Sequence, residues 1–341
     1  MPKFLPCFLI FFSFLLITNS VAIGQDIHFS QMSNAPLLLG PAETGNFFGD
    51  WQVTHSNRRQ WGLIGKPYST LSLGYEHQFY IGRQKLSAGL VVVHDESGIQ
   101  KLIQQRVYGS VAFHQTLRKQ EVSVGIQAGY VAKTLDISGL TFPSQYDIAQ
   151  GLFNDQLANR EGSLGQSTYF FDVNVGVRYR TVIWKLKPEF GFSIFHLNQP
   201  YESLILDSNN FVPMRYVGTV NTPVRINNRY HLQPQLFFMY QRRSRDLILG
   251  TLGFMNMSSN KLKIKQTFAG LHLREGLTRN WDAFIFTGGL KFKHLQTALS
   301  YDITVSKLRL ANSYQGAIEL SVIYTGVSSV LNKRSIPCNR M

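Results

Sequence analysis

A histidine, an aspartate and a serine lie close together in the stretch VVVHDESG, which runs from Val91 to Gly98. His94, Asp95 and Ser97 are the residue types of a serine-hydrolase triad, in which an acid orients a base that activates a nucleophile within hydrogen-bond reach. Close neighbours in sequence rarely reach that geometry, so we interpret the stretch as polar residues of an outer loop. A hydrolase is the weaker alternative.

The remaining ionisable residues form no recognisable site. The other histidines are scattered without the spacing of metal ligands, and glycine patterns that bind phosphate are absent. The net charge of +14 is spread along 341 residues without a nucleic-acid-binding motif. The sequence therefore predicts no catalytic residue, no metal, no cofactor and no nucleic-acid partner. Arg242, Arg243 and Arg245 are expected in a link between predicted β-strands, where they would contact either phosphorylated lipid headgroups or water.

The N-terminus has the pattern of a secretory signal peptide. Lys3 is followed by a short apolar run over residues 4–17 and then by small residues. The run is shorter than the roughly 20 residues of a transmembrane helix. We expect a cleaved signal peptide over residues 1–24 and a mature chain that begins at Gln25. Cleavage leaves one cysteine, Cys338, so no intramolecular disulfide can form.

From Pro67 onward apolar side chains recur at every second position, which is the period of β-strands. The alternation is clearest in five segments: residues 68–79, 120–131, 167–180, 228–241 and 315–325. Weaker runs lie near Phe47, Lys85, Val107, Trp184, Met214, Leu247, Leu262, Trp281 and Leu295. Together these runs predict about 14 strands, each near the length of about 9–11 residues that spans a membrane.

The two faces of these strands distinguish a membrane barrel from a soluble β-sandwich, which would also alternate. Glycines and small polar residues occupy one face, while aromatic residues crowd the other and gather near strand ends. We therefore expect Leu71, Leu73, Val173 and Val175 to face lipid. The sequence predicts an all-β fold, a transmembrane antiparallel barrel over residues 46–325 in the outer membrane.

The connections between strands alternate in predicted length. Short links follow strands two, four, six, ten and twelve, whereas residues 136–166 and 198–213 form long links after strands five and seven. Outer-membrane barrels have short periplasmic turns and longer outside loops. We therefore expect the long links outside the cell, and an N-terminal segment (25–45) and a C-terminal tail (326–341) in the periplasm.

The N-terminal segment QDIHFSQMSNAPLLLGPAETG has neither strand nor helix periodicity. Its apolar residues, among them Phe29, Met32 and Leu37, argue for burial somewhere. It either folds into the barrel as a plug or docks on a partner, and plain disorder is the alternative.

Seven further stretches accompany this segment in order. They are SAGLVVVHDESGIQ from Ser87, FDVNVGVRY from Phe171, FHLNQPYES from Phe195, VPMRY from Val212, WDAFIFTGGL from Trp281, YDITVSKL from Tyr301 and GAIELSVIY from Gly316. As an ordered set they resemble the PorP/SprF family, outer-membrane proteins of the type IX secretion system in the Bacteroidota. The chain departs from the family at its end, which reads CNRM where the family commonly has Cys-Pro-Arg-Phe.

The resemblance implies a function that periodicity and charge do not. It implies a non-enzymatic barrel that works with other type IX components and with peptidoglycan-associated periplasmic proteins. It also implies that exported proteins, gliding-motility adhesins included, are delivered to or held on the cell surface through their C-terminal sorting domains. A passive pore or transporter for small solutes is the alternative function.

The outside loops are the expected contact with exported proteins, because they mix aromatic anchors with polar groups. The aromatic candidates are Phe142, Tyr146, Phe153, Tyr201 and Phe211. Phe142 and Phe153 can equally pack within their own loop.

Overall fold

The computed structural model describes residues 26–327, except for residues 63–64, 83, 99–101, 136–140, 149, 155, 158–166, 205–209, 258–262 and 277–279. The expected signal peptide and most of the C-terminal tail, including Cys338, lie outside the described residues. Among the described residues no helix is long and apolar enough to cross a bilayer.

Fourteen long strands form the body of the molecule. They are β1 (Trp51–Gln60), β2 (Tyr68–Ile81), β3 (Gln84–Ser97), β4 (Leu102–Leu117), β5 (Gln120–Leu135), β6 (Ser167–Arg180), β7 (Glu189–Phe195), β8 (Arg215–Asn221), β9 (Tyr230–Gln241), β10 (Ser244–Asn256), β11 (Gln266–Gly276), β12 (Asn280–Lys291), β13 (Leu295–Thr304) and β14 (Gln315–Gly326).

Each of these strands pairs antiparallel with a neighbour on both sides, so the sheet closes into a barrel. The closure lies between β1 and β14, where Trp51 is opposite Gly326 and Gln60 is opposite Ala317. A closed sheet leaves no strand edge with unpaired backbone groups, which is the condition for a β-structure in hydrocarbon. The predicted 14-stranded transmembrane barrel is confirmed.

The outward and inward faces follow the predicted alternation. Leu71 and Leu73 on β2 point outward, and their neighbours Thr70 and Ser72 are buried inside. On β6 the exposed Phe171 alternates with the buried Asp172. This pattern gives the barrel an apolar outer band that suits lipid and an interior that contains buried charged side chains such as Arg58 and Glu319.

The links fall on two rims. We call the rim that carries residues 136–166 and 196–214 the loop rim, and the rim at which β1 begins and β14 ends the terminal rim. The loop rim also carries two of the shortest links, 242–243 and 277–279, while terminal-rim links 181–188 and 257–265 are longer than predicted.

The alternation of link lengths is therefore weaker than the sequence predicts. Three predicted strands begin late in the structure: β1 at Trp51 rather than near Phe47, β7 at Glu189 rather than near Trp184, and β11 at Gln266. The residues around Trp184 have strand-like composition but form a tight turn.

Most of the described residues before β1 lie inside the barrel. Residues 26–46, which we call the plug, form only short turns: a 3-10 turn at Met32–Asn34, one helical turn at Pro36–Leu39 and a 3-10 turn at Pro41–Glu43. The sequence left open whether this segment enters the barrel or docks on a partner, and the structure places it in the lumen.

Candidate functional site

Asp26, at the start of the plug, lies in a buried cluster of charges on the loop-rim side of the lumen. Its carboxylate pairs with Arg106 of β4 and, at 3.0 Å, with Arg215 of β8. His196, just after β7, lies 3.3 Å from the same carboxylate through Nε2 and 2.9 Å from Asp172 through Nδ1. Burial alone would raise the pKa of Asp26, but the two guanidinium groups hold that pKa well below its usual range. Asp26 is therefore an anion at neutral pH and binds three inward-facing groups of the wall.

The same cluster fixes the beginning of the long link 196–214. The His196 backbone has a left-handed φ of 58°, and its N–H donates to Asn174 Oδ1 at 2.9 Å. Asn198 accepts the N–H of Val173 at 3.1 Å and donates to the carbonyl of Phe171 at 2.7 Å. His196 and Asn198 of the stretch FHLNQPYES thus connect the plug and β6 to the loop rim.

A second polar anchor holds Ser30 and Gln31 deeper in the lumen. The carboxylate of Glu319 on β14 accepts the backbone N–H of Ser30 at 2.7 Å and that of Gln31 at 3.0 Å. Arg58 lies 3.3 Å from Glu319 and 3.0 Å from Asp302, and the Ser30 hydroxyl donates to Asp302 at 2.7 Å. Hydrogen bonds to charged groups are stronger than neutral ones, so this network holds Ser30 and Gln31 firmly against the wall.

Apolar side chains of the plug pack against apolar side chains that point inward from the wall. One cluster contains Met32, Leu39, Phe195, Val217, Phe237, Met239, Ile248 and Ile285. A second contains Leu37, Val91, Val93, Tyr108, Val131, Phe170 and Val212. Burial of these side chains stabilises the plug in the way that a soluble core is stabilised.

The plug runs close to the wall and ends at the terminal rim. Gly125 of β5 faces the backbone of Pro41, where a Cβ would lie 2.3 Å from carbonyl atoms, so only glycine permits this approach. Farther on, the Gly45 N–H donates to Glu76 at 2.7 Å, and Lys85 donates to the Gly45 carbonyl at 2.7 Å. The plug therefore traverses the lumen from the loop-rim side to the terminal rim.

The lumen contains apolar packing that the predicted small polar residues of the inward face do not account for. Two continuous apolar runs in the sequence indicate this packing, LVVV from Leu90 and LFFM from Leu236. A strand whose inward face is entirely polar cannot contain such runs. Charged residues at inward positions, such as Arg58 and Glu319, are a second indication that the lumen contains partners for them.

The five aromatic residues predicted to contact a partner are all near the loop rim. Tyr146 and Phe153 meet edge to face across a two-residue β-ladder, with ring centroids 5.2 Å apart. Tyr201 and Phe211 meet edge to face across an isolated β-bridge, with ring centroids 5.8 Å apart. These four rings are 44%, 53%, 46% and 54% exposed, respectively. Phe142 is half-buried beside Gln145, whose Oε1 accepts its N–H at 3.1 Å.

The hydrolase-like stretch does not assemble a triad. His94 and Asp95 are adjacent on β3 and so point to opposite faces of the wall. Asp95 accepts hydrogen bonds from Thr70 Oγ1 at 2.6 Å and from Ser97 Oγ at 2.9 Å. Among the described residues no group of three or more His, Cys, Asp and Glu side chains is arranged to hold a metal ion.

Residues 21–324 match the family described as type IX secretion system membrane protein PorP/SprF. The chain belongs to the PorP/SprF family. This PorP/SprF protein is therefore an outer-membrane β-barrel of the type IX secretion system, as the ordered motifs predicted. A search of curated proteins finds no match.

Several solved barrels are similar to this PorP/SprF chain in structure. The toluene transporter TbuX of Ralstonia pickettii has a TM-score of 0.48 at 11% identity, over 85% of this chain and 92% of its own. The monoaromatic hydrocarbon channel CymD has a TM-score of 0.48 at 10% identity, over 90% and 96%. A FadL homologue from Pseudomonas aeruginosa has a TM-score of 0.43 at 9% identity, over 84% and 92%.

Proposed function

We propose that this protein is a non-enzymatic barrel that binds the C-terminal sorting domains of exported proteins and holds those proteins, gliding adhesins included, at the cell surface. The observation that carries the proposal is the pair of exposed aromatic contacts on the loop rim, Tyr146 with Phe153 and Tyr201 with Phe211. Aromatic rings that are already held in place lose little conformational entropy when a partner covers them. We propose that the loop rim faces outside and that residues 1–24 are removed on export.

The filled lumen supports a binding function over a passive pore. A pore for small solutes needs an open path, whereas residues 26–46 lie in the lumen and are fixed by ion pairs and by apolar packing. Conduction would require this plug to leave. The two links with the exposed aromatic rings are the longest connections of the barrel.

The experiment compares surface proteins in cells that lack the gene, cells with the intact gene and cells in which residues 141–157 are shortened to a tight turn. We expect the deletion to cause release or degradation of some type IX cargo proteins while the membrane stays intact, and the shortened variant to reproduce that loss. The variant must reach the outer membrane in normal amount and keep its heat-modifiable mobility in gels. If the deletion changes only small-solute uptake, with every exported protein still on the surface, the pore function replaces this one.

A further inference from the structure

Residues 181–188, which we call the Trp184 hairpin, extend the β6–β7 ladder beyond the terminal rim. The Thr181 N–H donates to the Pro188 carbonyl at 3.1 Å. Ile183 and Leu186 then exchange two backbone hydrogen bonds of 3.0 and 2.9 Å, which leaves Trp184 and one lysine as the two-residue turn. The hairpin is therefore ordered by its own backbone rather than by packing on the barrel.

Trp184 is an unfavourable residue for this turn. Its φ of 56° lies in the left-handed region, which Gly, Asn and Asp adopt far more readily than a bulky side chain. The indole is 97% exposed, so no burial within this chain offsets the cost. Backbone strain of this kind costs about 1–3 kcal/mol, and strained residues cluster at functional sites.

Apolar side chains lie beside Trp184 at the tip of the hairpin, and basic side chains surround that tip. Ile183 and Leu186 are exposed beside the indole, and Lys185 is exposed within the turn. The neighbouring turn of the barrel, between β4 and β5, adds Arg118, and further exposed cations are Lys119 and Lys187. A surface that joins one large aromatic anchor to several cations is complementary to an apolar pocket edged with carboxylates.

The position of the hairpin favours a protein partner over the lipid surface. Tyr179 and Phe190 are the last outward-facing pair of β6 and β7 and mark the aromatic girdle on this side. Trp184 follows Tyr179 by five residues. At about 3.3 Å per residue and a strand tilt of about 40°, that distance is roughly 12 Å along the barrel axis. The headgroup layer is only about 5–7 Å thick, so the indole lies past it.

We propose that the Trp184 hairpin is the docking element for a protein on the terminal-rim side, with Trp184 inserted in an apolar pocket and the lysines paired with acidic residues around that pocket. The plug cannot take this role while it is buried in the lumen. The proposed contact is on the opposite rim from the exposed aromatic pairs of the proposed function and does not depend on them.

The first test places a photo-crosslinking benzophenone amino acid at position 184 of the full-length protein in living cells. We expect a crosslinked adduct with one protein that is identified by mass spectrometry. An adduct with lipid alone, or no adduct, overturns the proposal. The same probe at Leu310, which is 84% exposed on the loop rim, controls for adducts that any exposed position gives.

The second test measures the affinity of the purified crosslinked protein for the barrel in phospholipid nanodiscs. Trp184→Gly is the informative variant, because glycine suits the left-handed φ and the turn should keep or gain stability. We expect that variant to bind about 30-fold more weakly, the loss typical of a central aromatic anchor. Lys185→Glu with Lys187→Glu should also weaken binding and reduce its dependence on salt. Undiminished binding by Trp184→Gly would overturn the proposal, and Leu310→Ala is the matched control.

Discussion

Replacement of Glu319 by alanine should release the plug while the barrel stays folded. The Glu319 carboxylate is 1% exposed and accepts the backbone N–H groups of Ser30 and Gln31. Each buried donor left unpaired costs about 1–3 kcal/mol, so the two together cost about 2–6 kcal/mol. Arg58 also loses a partner at 3.3 Å but keeps Asp302 at 3.0 Å, which limits the further penalty. The cost falls on the plug because the strand ladder does not involve this side chain.

Planar-bilayer conductance and limited proteolysis measure the outcome. We expect the wild-type barrel to stay closed and the Glu319→Ala barrel to open in steps and to be cut within residues 26–46. Glu275→Ala, which removes a carboxylate at the loop-rim end of β11, is the control and should behave as wild type. A Glu319→Ala barrel that is as closed and as protease-resistant as wild type would refute the assignment of this anchor.

Other expectations concern the wall, the plug contact and the orientation. Val175→Arg should lower the free energy of unfolding in lipid by about 2–4 kcal/mol if it lies near the midplane. Asn174→Arg should also lower it, because Asn174 is buried and hydrogen-bonded to the Gln127 side chain. Urea titration of the refolded barrel measures both changes. Gly125→Val should displace the plug, because the new side chain would overlap the backbone of Pro41, and should therefore raise conductance without unfolding the barrel. In a protein without native cysteines, Ser144→Cys should react with an impermeant maleimide on intact cells and Lys185→Cys only after lysis; the reverse result would invert the orientation.

The wall of the barrel could be predicted from the sequence because lipid imposes a strict period of two. Outward positions such as Leu73 and Ile126 must be apolar, and each strand must be long enough to span the bilayer. Strand ends were less predictable. The run TVIWKLK begins with four β-forming residues, yet Trp184 and Lys185 turn the chain. β-propensity does not distinguish a spanning strand from a hairpin that extends beyond the membrane.

The contents of the lumen could not be predicted in the same way. An inward serine or arginine is compatible with water, with an ion pair or with a plug, and the pairing of Asp26 with Arg215 joins residues far apart in the chain. Asn174 illustrates the consequence: the alternation correctly places it inside, but an open lumen would tolerate a large side chain there and the filled lumen does not. The sequence predicted the four exposed aromatic residues individually. It did not predict their edge-to-face contacts, because these depend on the local fold of each link.

We propose that the loop rim binds the sorting domains of exported proteins through its two aromatic pairs. The most direct measurement is the affinity of the barrel, in nanodiscs, for the C-terminal domain of a surface protein that the gene deletion releases. We expect the wild-type barrel to bind that domain and a variant with serine at Tyr146, Phe153, Tyr201 and Phe211 to bind it at least about 30-fold more weakly, while remaining folded and plugged. Equal affinity of the two barrels, or no binding by the wild-type barrel, would contradict the claim.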